Sequence, residues 1–241
     1  MRSKEYIALA DKYEVRPLKY DPILFCYMFD NKKDIEITGV IASWLDYGDT
    51  DKSMSKILYL ITDIMDKKPY DYIMSGIWSR YKDDYSCLYR LMSWHNFSML
   101  CYKLRTAYLN NKDLEEALIH SYTNNKHKHK YYFQALCDVL SGETMIQSSN
   151  STSADKRINM LLRWFVRKDS KVDLGIWNLN PAKLILPCDT QTLNVAKSLG
   201  IITKVEETQR VIFRVTDYSS RIFPDDPARM SFVLYGLSKS K

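Results

Sequence analysis

The sequence predicts an all-α protein, and three observations carry that prediction. Apolar residues recur at intervals of three and four through most of the 241 residues. No run alternates β-branched and polar residues; the nearest, 211–215, sits inside a longer helical period. The composition, 46% hydrophobic and 27% charged, is that of a globular chain with enough apolar surface for a packed core.

The elements follow in order. Residues 1–14 alternate charge with aliphatic side chains, and Asp21-Pro22 marks a turn into a helix. Ile37, Val40, Ile41, Trp44 and Leu45 form one apolar stripe that ends near Gly48. Ser53 precedes Met54, Ile57, Leu58, Ile61, Ile64 and Met65, an amphipathic helix stopped by Pro69. A long helix is expected over 86–109 and shorter ones over 113–121 and 131–140. Residues 141–154 are rich in Ser, Thr and Asn and read as an exposed loop. A helix follows over 155–167, another starts near Asp189, and Asp225-Asp226-Pro227 opens a last one over 228–237. The run Lys126-His127-Lys128-His129-Lys130 reads as a solvated basic loop, with phosphate contact as its alternative.

Composition also excludes whole classes. The 7 glycines are dispersed, with no two within eight residues, so neither a dinucleotide fingerprint nor a P-loop can form. The 5 cysteines are odd in number and lack the two-residue spacing of a metal clip. They read as thiols in a reducing compartment. The 4 histidines do not pair with them at metal-ligand spacing, so no metal is expected, and none of the functional readings below implies an organic cofactor. No run approaches the ~18 apolar residues of a membrane span, and no apolar leader is visible, so a cytoplasmic protein is expected.

The chemistry concentrates after the polar loop. In 155–167, Ile158, Leu161, Leu162, Phe165 and Val166 form the core face of a helix. Stepping ~100° per residue places Lys156, Met160, Arg163 and Arg167 on the opposite stripe. From 155 to 171 there are 6 basic and 2 acidic residues, so a cationic front facing a polyanion is expected. Downstream, Leu184-Ile185-Leu186-Pro187-Cys188-Asp189-Thr190-Gln191-Thr192 places Asp189 at a helix start. An N-cap there is worth about 1 kcal/mol and by itself accounts for an aspartate.

These two segments together resemble the helix–hairpin–helix DNA glycosylase superfamily. A lysine opens the second helix of a hairpin, and an apolar-Pro-x-Asp-Thr-x-Thr helix start follows. The 8-oxoguanine glycosylase/lyase branch, in its archaeal form, is the most similar. Lys-Arg-x-Asn-Met-x-x-Arg-Trp with Leu-x-Pro-x-Asp-Thr-x-Thr also resembles a bacterial domain-of-unknown-function family related to that superfamily. Ile41 to Gly48 and the segment 232–237 extend the similarity over nearly the whole chain.

The resemblance implies a base-excision DNA N-glycosylase with AP-lyase activity on a damaged purine, bound as duplex DNA. Lys156 takes the position of the nucleophilic lysine that forms a Schiff base, and Asp189 that of the catalytic aspartate. It implies one glycosylase-like unit of two helical lobes, about 36–165 and 1–35 with 166–241, with a cleft between them. Ser151, Thr152, Ser153, Arg157, Arg163 and Arg167 become the expected nucleic-acid contacts. Trp44, Tyr47, Trp164, Trp177 and Tyr235 become base-pocket candidates, and the loop 46–50 the expected wedge into the duplex. Two departures stand out. Thr152 and Ala154 replace the hairpin glycines, and the cysteine quartet of the iron–sulfur glycosylases is absent. The main alternative is a non-catalytic nucleic-acid-binding protein on the same fold; a third is a helical enzyme acting on a small nucleoside.

Overall fold

A computed structural model describes residues 2–15, 21–125 and 128–240. Lys126 and His127 of the basic run lie outside the described residues. The described chain is mostly helical. Its α-helices are α1 (Ser3–Tyr13), α2 (Lys32–Leu45), α3 (Thr50–Tyr59), α4 (Pro69–Ser75), α5 (Trp94–Asn110), α6 (Leu114–Asn124), α7 (Tyr132–Leu140), α8 (Lys156–Val166), α9 (Thr190–Ser198), α10 (Gln209–Ser220) and α11 (Met230–Lys239). One small antiparallel pair, β1 (Cys87–Tyr89) and β2 (Met92–Ser93), interrupts them. Among the described residues no helix is long and apolar enough to cross a membrane.

The chain forms two compact units, 19–150 and 1–18 with 151–241. The resemblance placed 19–35 with the chain ends and 151–165 with the middle of the chain; in the structure both segments belong to the other side. Helix α8 belongs with the chain ends because its arginines find their carboxylates there, in Glu14, Asp173 and Asp226.

In the unit 19–150, α2 is buried on every side from Ile35 to Leu45. A helix surrounded by core needs its polar groups satisfied. Glu36, fully buried, accepts from Tyr108 Oη at 2.9 Å and from the Leu114 amide at 3.1 Å. Lys32, one turn earlier, bridges Asp113 at 2.8 Å and Glu115 at 2.6 Å. These contacts tie α2 to α5 and to the start of α6.

Two expectations are corrected in this unit. Residues 86–93 are not helical: Arg90 adopts a left-handed backbone (φ 53°) at the turn between β1 and β2. Ser93 then starts α5 as a cap, its hydroxyl accepting from the Asn96 amide at 3.2 Å. Pro69 does not stop the preceding helix. After a π-helical turn over Leu60–Ile64, Asp66 and Lys67 turn left-handed, and Pro69 opens α4 at its first turn.

The polar segment 141–150 is less exposed than its composition suggests. Thr144 is buried, its carbonyl accepting from Trp44 Nε1 at 2.7 Å and its hydroxyl donating to the Leu140 carbonyl at 2.8 Å. The Ser149 amide donates to Asp138, which also pairs with Lys128 at 2.7 Å and His129 at 2.9 Å. Lys128 and His129 of the basic run are therefore tied to a carboxylate.

In the unit built from the chain ends, α11 packs on α1 and α9. Gly236 makes the first contact possible, since a Cβ there would lie 2.2 Å from the Tyr13 ring. The Tyr108–Glu36 bond gives a direct test of the other unit. Burial and the Glu36 charge raise the Tyr108 phenol well above its ordinary range, so it stays a donor. Tyr108→Phe leaves a buried carboxylate with one donor fewer, and urea unfolding should show a loss of about 1–3 kcal/mol.

Candidate active site

The site begins with a short loop held by backbone hydrogen bonds. Residues 151–155 run antiparallel to 207–209, joined by a bridge between Ser153 and Thr208. The Ala154 amide donates to the Glu207 carbonyl at 3.1 Å, and the Gln209 amide to the Thr152 carbonyl at 2.9 Å. Gln209 Nε2 adds a bond to the Ser151 carbonyl at 2.7 Å. Asp155 then turns left-handed (φ 46°, ψ 41°), and α8 starts with Lys156. Asn159, one turn on, holds the loop from the helix side through the Ala154 carbonyl at 3.1 Å.

The same strap reaches the start of α9. Glu207 Oε1 accepts from the Thr190 amide at 2.8 Å and from the Thr190 hydroxyl. Asp189 caps that helix: its Oδ1 accepts from the Thr192 amide at 2.9 Å, and Thr192 Oγ1 accepts from the Asp189 amide at 2.9 Å. Two helix starts more than thirty residues apart in sequence are thereby brought together. Lys156 Nζ lies 3.5 Å from Asp189 Oδ2, and each side chain keeps about a third of its surface exposed (33% and 34%).

The electrostatics divide the neighbouring groups by role. Burial works to raise the Asp189 carboxyl, but the Thr192 amide, the Lys156 charge and the Thr192 hydroxyl outweigh it and hold it below the usual carboxylate range. Asp189 is thus an anion beside an amine. Burial pushes Asp155 up to about 6, only partly offset by Gln209 and Arg157. Cys188 is buried, and desolvation together with the Asp189 charge pushes its thiol up to about 12. It stays a thiol and does not compete as a nucleophile. An amine and a carboxylate in one partly open site can form an imine and shuttle its protons.

The other expected contacts divide between this site and the core. Arg157 is half-buried in the first turn of α8, and Ser151, Thr152 and Ser153 lie in the strapped loop just ahead of it. The loop amides are partly spent: Ala154 donates to Glu207, and Ser153 donates to Ser151 Oγ at 3.0 Å. Arg163 and Arg167 do not form a cationic front. Both are buried, Arg167 to 3% exposure. Arg167 binds Asp226 at 2.7 Å, Glu14 at 3.0 Å and Asp173, while Arg163 binds Asp173 at 3.1 Å. Both guanidinium groups lie over the Phe232 ring, at 4.7 and 5.1 Å. Helical periodicity put them opposite the apolar face, but acidic residues from distant segments cover that stripe.

At the expected start of the last helix, Asp226 makes no side-chain cap bond and binds Arg167 instead. Among the aromatic candidates, Trp44, Trp164 and Trp177 are core residues. Tyr47 is half-buried, its hydroxyl accepting from the Leu91 amide at 3.1 Å and its ring edge-on to Tyr89. Tyr235 keeps 46% of its surface exposed on α11. Glu207 and Gln209, which build the site, carry no motif in the sequence. Their partners lie 17 and 58 residues away, at Thr190 and Ser151. Among the described residues no three His, Cys, Asp or Glu side chains converge as metal ligands.

Arg167→Leu strands carboxylates in the core and should cost about 3–5 kcal/mol in denaturant unfolding. Asp155 acts in the opposite sense. Its folded pKa of about 6 exceeds the ordinary 3.8, so its contribution favours folding at low pH and is lost as pH rises through 6. Asp155→Asn tolerates the left-handed backbone and should stabilise the protein by about 2 kcal/mol at pH 7.5. Thermal unfolding should show that gain vanish below about pH 4.

A family model described as a protein of unknown function, DUF2400, matches residues 21–240. No curated protein and no solved structure matches the chain. The family match spans α2 to α11, including both helix starts that meet at the site. The chain belongs to the DUF2400 family.

Proposed function

We propose that this protein is a base-excision DNA repair enzyme of the helix–hairpin–helix glycosylase kind, an N-glycosylase with AP-lyase activity on a damaged purine in duplex DNA. The observation that supports it most is the 3.5 Å approach of Lys156 Nζ to Asp189 Oδ2 at two partly exposed helix starts. A free lysine has a pKa of ~10.4, so attack begins with loss of a proton from the ammonium. The neutral Nζ then bonds to the anomeric carbon of the flipped nucleotide as the glycosidic bond breaks. The electron pair leaves with the base, which takes up a proton.

The amine nitrogen next loses its proton and the sugar ring opens to an imine, the ring oxygen becoming a hydroxyl. Loss of a C2′ proton from that imine expels the 3′ phosphate, and water releases the product and the free amine. Asp189 stabilises the oxocarbenium charge of the first step and relays protons in the later ones. Ser151, Thr152, Ser153 and Arg157 are the groups in this reading that meet the DNA backbone, and Tyr47 and Tyr235 remain the aromatic candidates for stacking. Arg163 and Arg167 drop out, since their charges are spent internally.

One observation favours the alternative of a nucleic-acid-binding protein without catalysis: Asp189 already has a full structural task as a helix cap. Borohydride treatment on abasic-site duplex separates the two. The wild type should yield a covalent protein–DNA adduct, and Lys156→Ala should lose it by at least about 100-fold. Equal trapping by Lys156→Ala sinks the assignment. Asp189→Asn keeps a competent cap, so it should leave duplex affinity within about threefold while slowing adduct formation by about 100-fold. Salt-sensitive binding by both proteins, with no turnover on any lesion, establishes the binding reading instead.

A further inference from the structure

The pair Lys156–Asp189 belongs to no single element, so something must keep its two halves in register. The loop before Lys156 and the helix start at Asp189 share one residue as a common support. The Glu207 carbonyl accepts from Ala154, two residues before Lys156, at 3.1 Å. Its carboxylate accepts from the amide of Thr190, the residue after Asp189, at 2.8 Å, and from the same residue's hydroxyl. We propose that Glu207 is a positioning residue for the Lys156–Asp189 pair, clamping the approach to the amine with its backbone and the carrier of the carboxylate with its side chain.

The contacts have a directional logic. A carboxylate at the positive end of a helix is favoured electrostatically, and two donors from one threonine fix its orientation. The Gln209 amide on the Thr152 carbonyl and the Gln209 side chain on the Ser151 carbonyl hold the strap in register on the loop, with the Glu207 carboxylate at Thr190. Glu207 itself is exposed, so its replacement leaves the core untouched.

This inference rests on the reading of Lys156 as the nucleophile, but one of its two tests does not. Glu207→Ala removes the side-chain clamp, whereas Glu207→Gln keeps an acceptor oxygen for Thr190 and removes only the charge. In single-turnover borohydride trapping on abasic duplex, Glu207→Ala should react about five- to tenfold more slowly at unchanged duplex affinity, and Glu207→Gln should return to within about twofold of wild type. Independently of any DNA, carboxyl NMR titration should find Asp189 below the usual range in the wild type and in Glu207→Gln, and shifted upward in Glu207→Ala. Wild-type trapping and wild-type Asp189 titration in Glu207→Ala overturn the proposal. So does a Glu207→Gln protein as slow as Glu207→Ala, because charge and not placement is then responsible. If the wild type traps nothing, the glycosylase reading falls, and the Asp189 titration alone decides the role of Glu207.

Discussion

The antiparallel contact between 151–155 and 207–209 is the constraint on which the proposed chemistry depends. It takes a loop with no apolar anchor beyond Ala154 and gives it a fixed path through backbone bonds. That path ends in a left-handed Asp155 and delivers Lys156 at the first position of α8. The same segment fixes the first turn of α9, whose cap is Asp189. A side-chain pair assembled this way owes little to packing and much to directed hydrogen bonds, which suits the partly open site of the proposed chemistry.

The arginines of α8 show the complementary arrangement. Arg163 and Arg167 sit deep among Glu14, Asp173 and Asp226, with Arg229 adding a second cation to Glu14 at 3.1 Å. Buried charge of this kind is costly to break and adds little net stability, but it dictates which segments of the chain must meet. It draws residues near both chain ends onto α8. The back of that helix is thereby fixed by ion pairs, while its first turn carries the partly exposed Lys156 amine. The excess of basic residues between 155 and 171 therefore overstates what faces solvent.

Most helices were legible because one face of each is buried against the core, so their apolar residues keep the helical period; α5, α7 and α9 are of this kind. The strand pair over 87–93 was not, because its turn uses Arg90 in a left-handed conformation without glycine or asparagine to mark it. Lys156 and Asp189 could be nominated from two local segments, but their 3.5 Å approach joins elements whose only relation is spatial and could not be read from either segment. Arg163 and Arg167 looked identical in sequence to solvent-facing cations, since their partners lie as far away as Glu14. Glu207 escaped notice for the same reason: its bonds join residues whose only relation is spatial. Helical period reports what an element buries, not which distant side chain arrives to cover its other face.

The proposed chemistry requires that one particular atom of the protein reacts. Reduction of the complex between wild-type protein and abasic-site DNA, followed by proteolysis and mass-spectrometric mapping of the modified peptide, identifies that atom directly. A single sugar-derived adduct on Lys156 is the expected result. An adduct on another lysine, or none at saturating DNA, contradicts it.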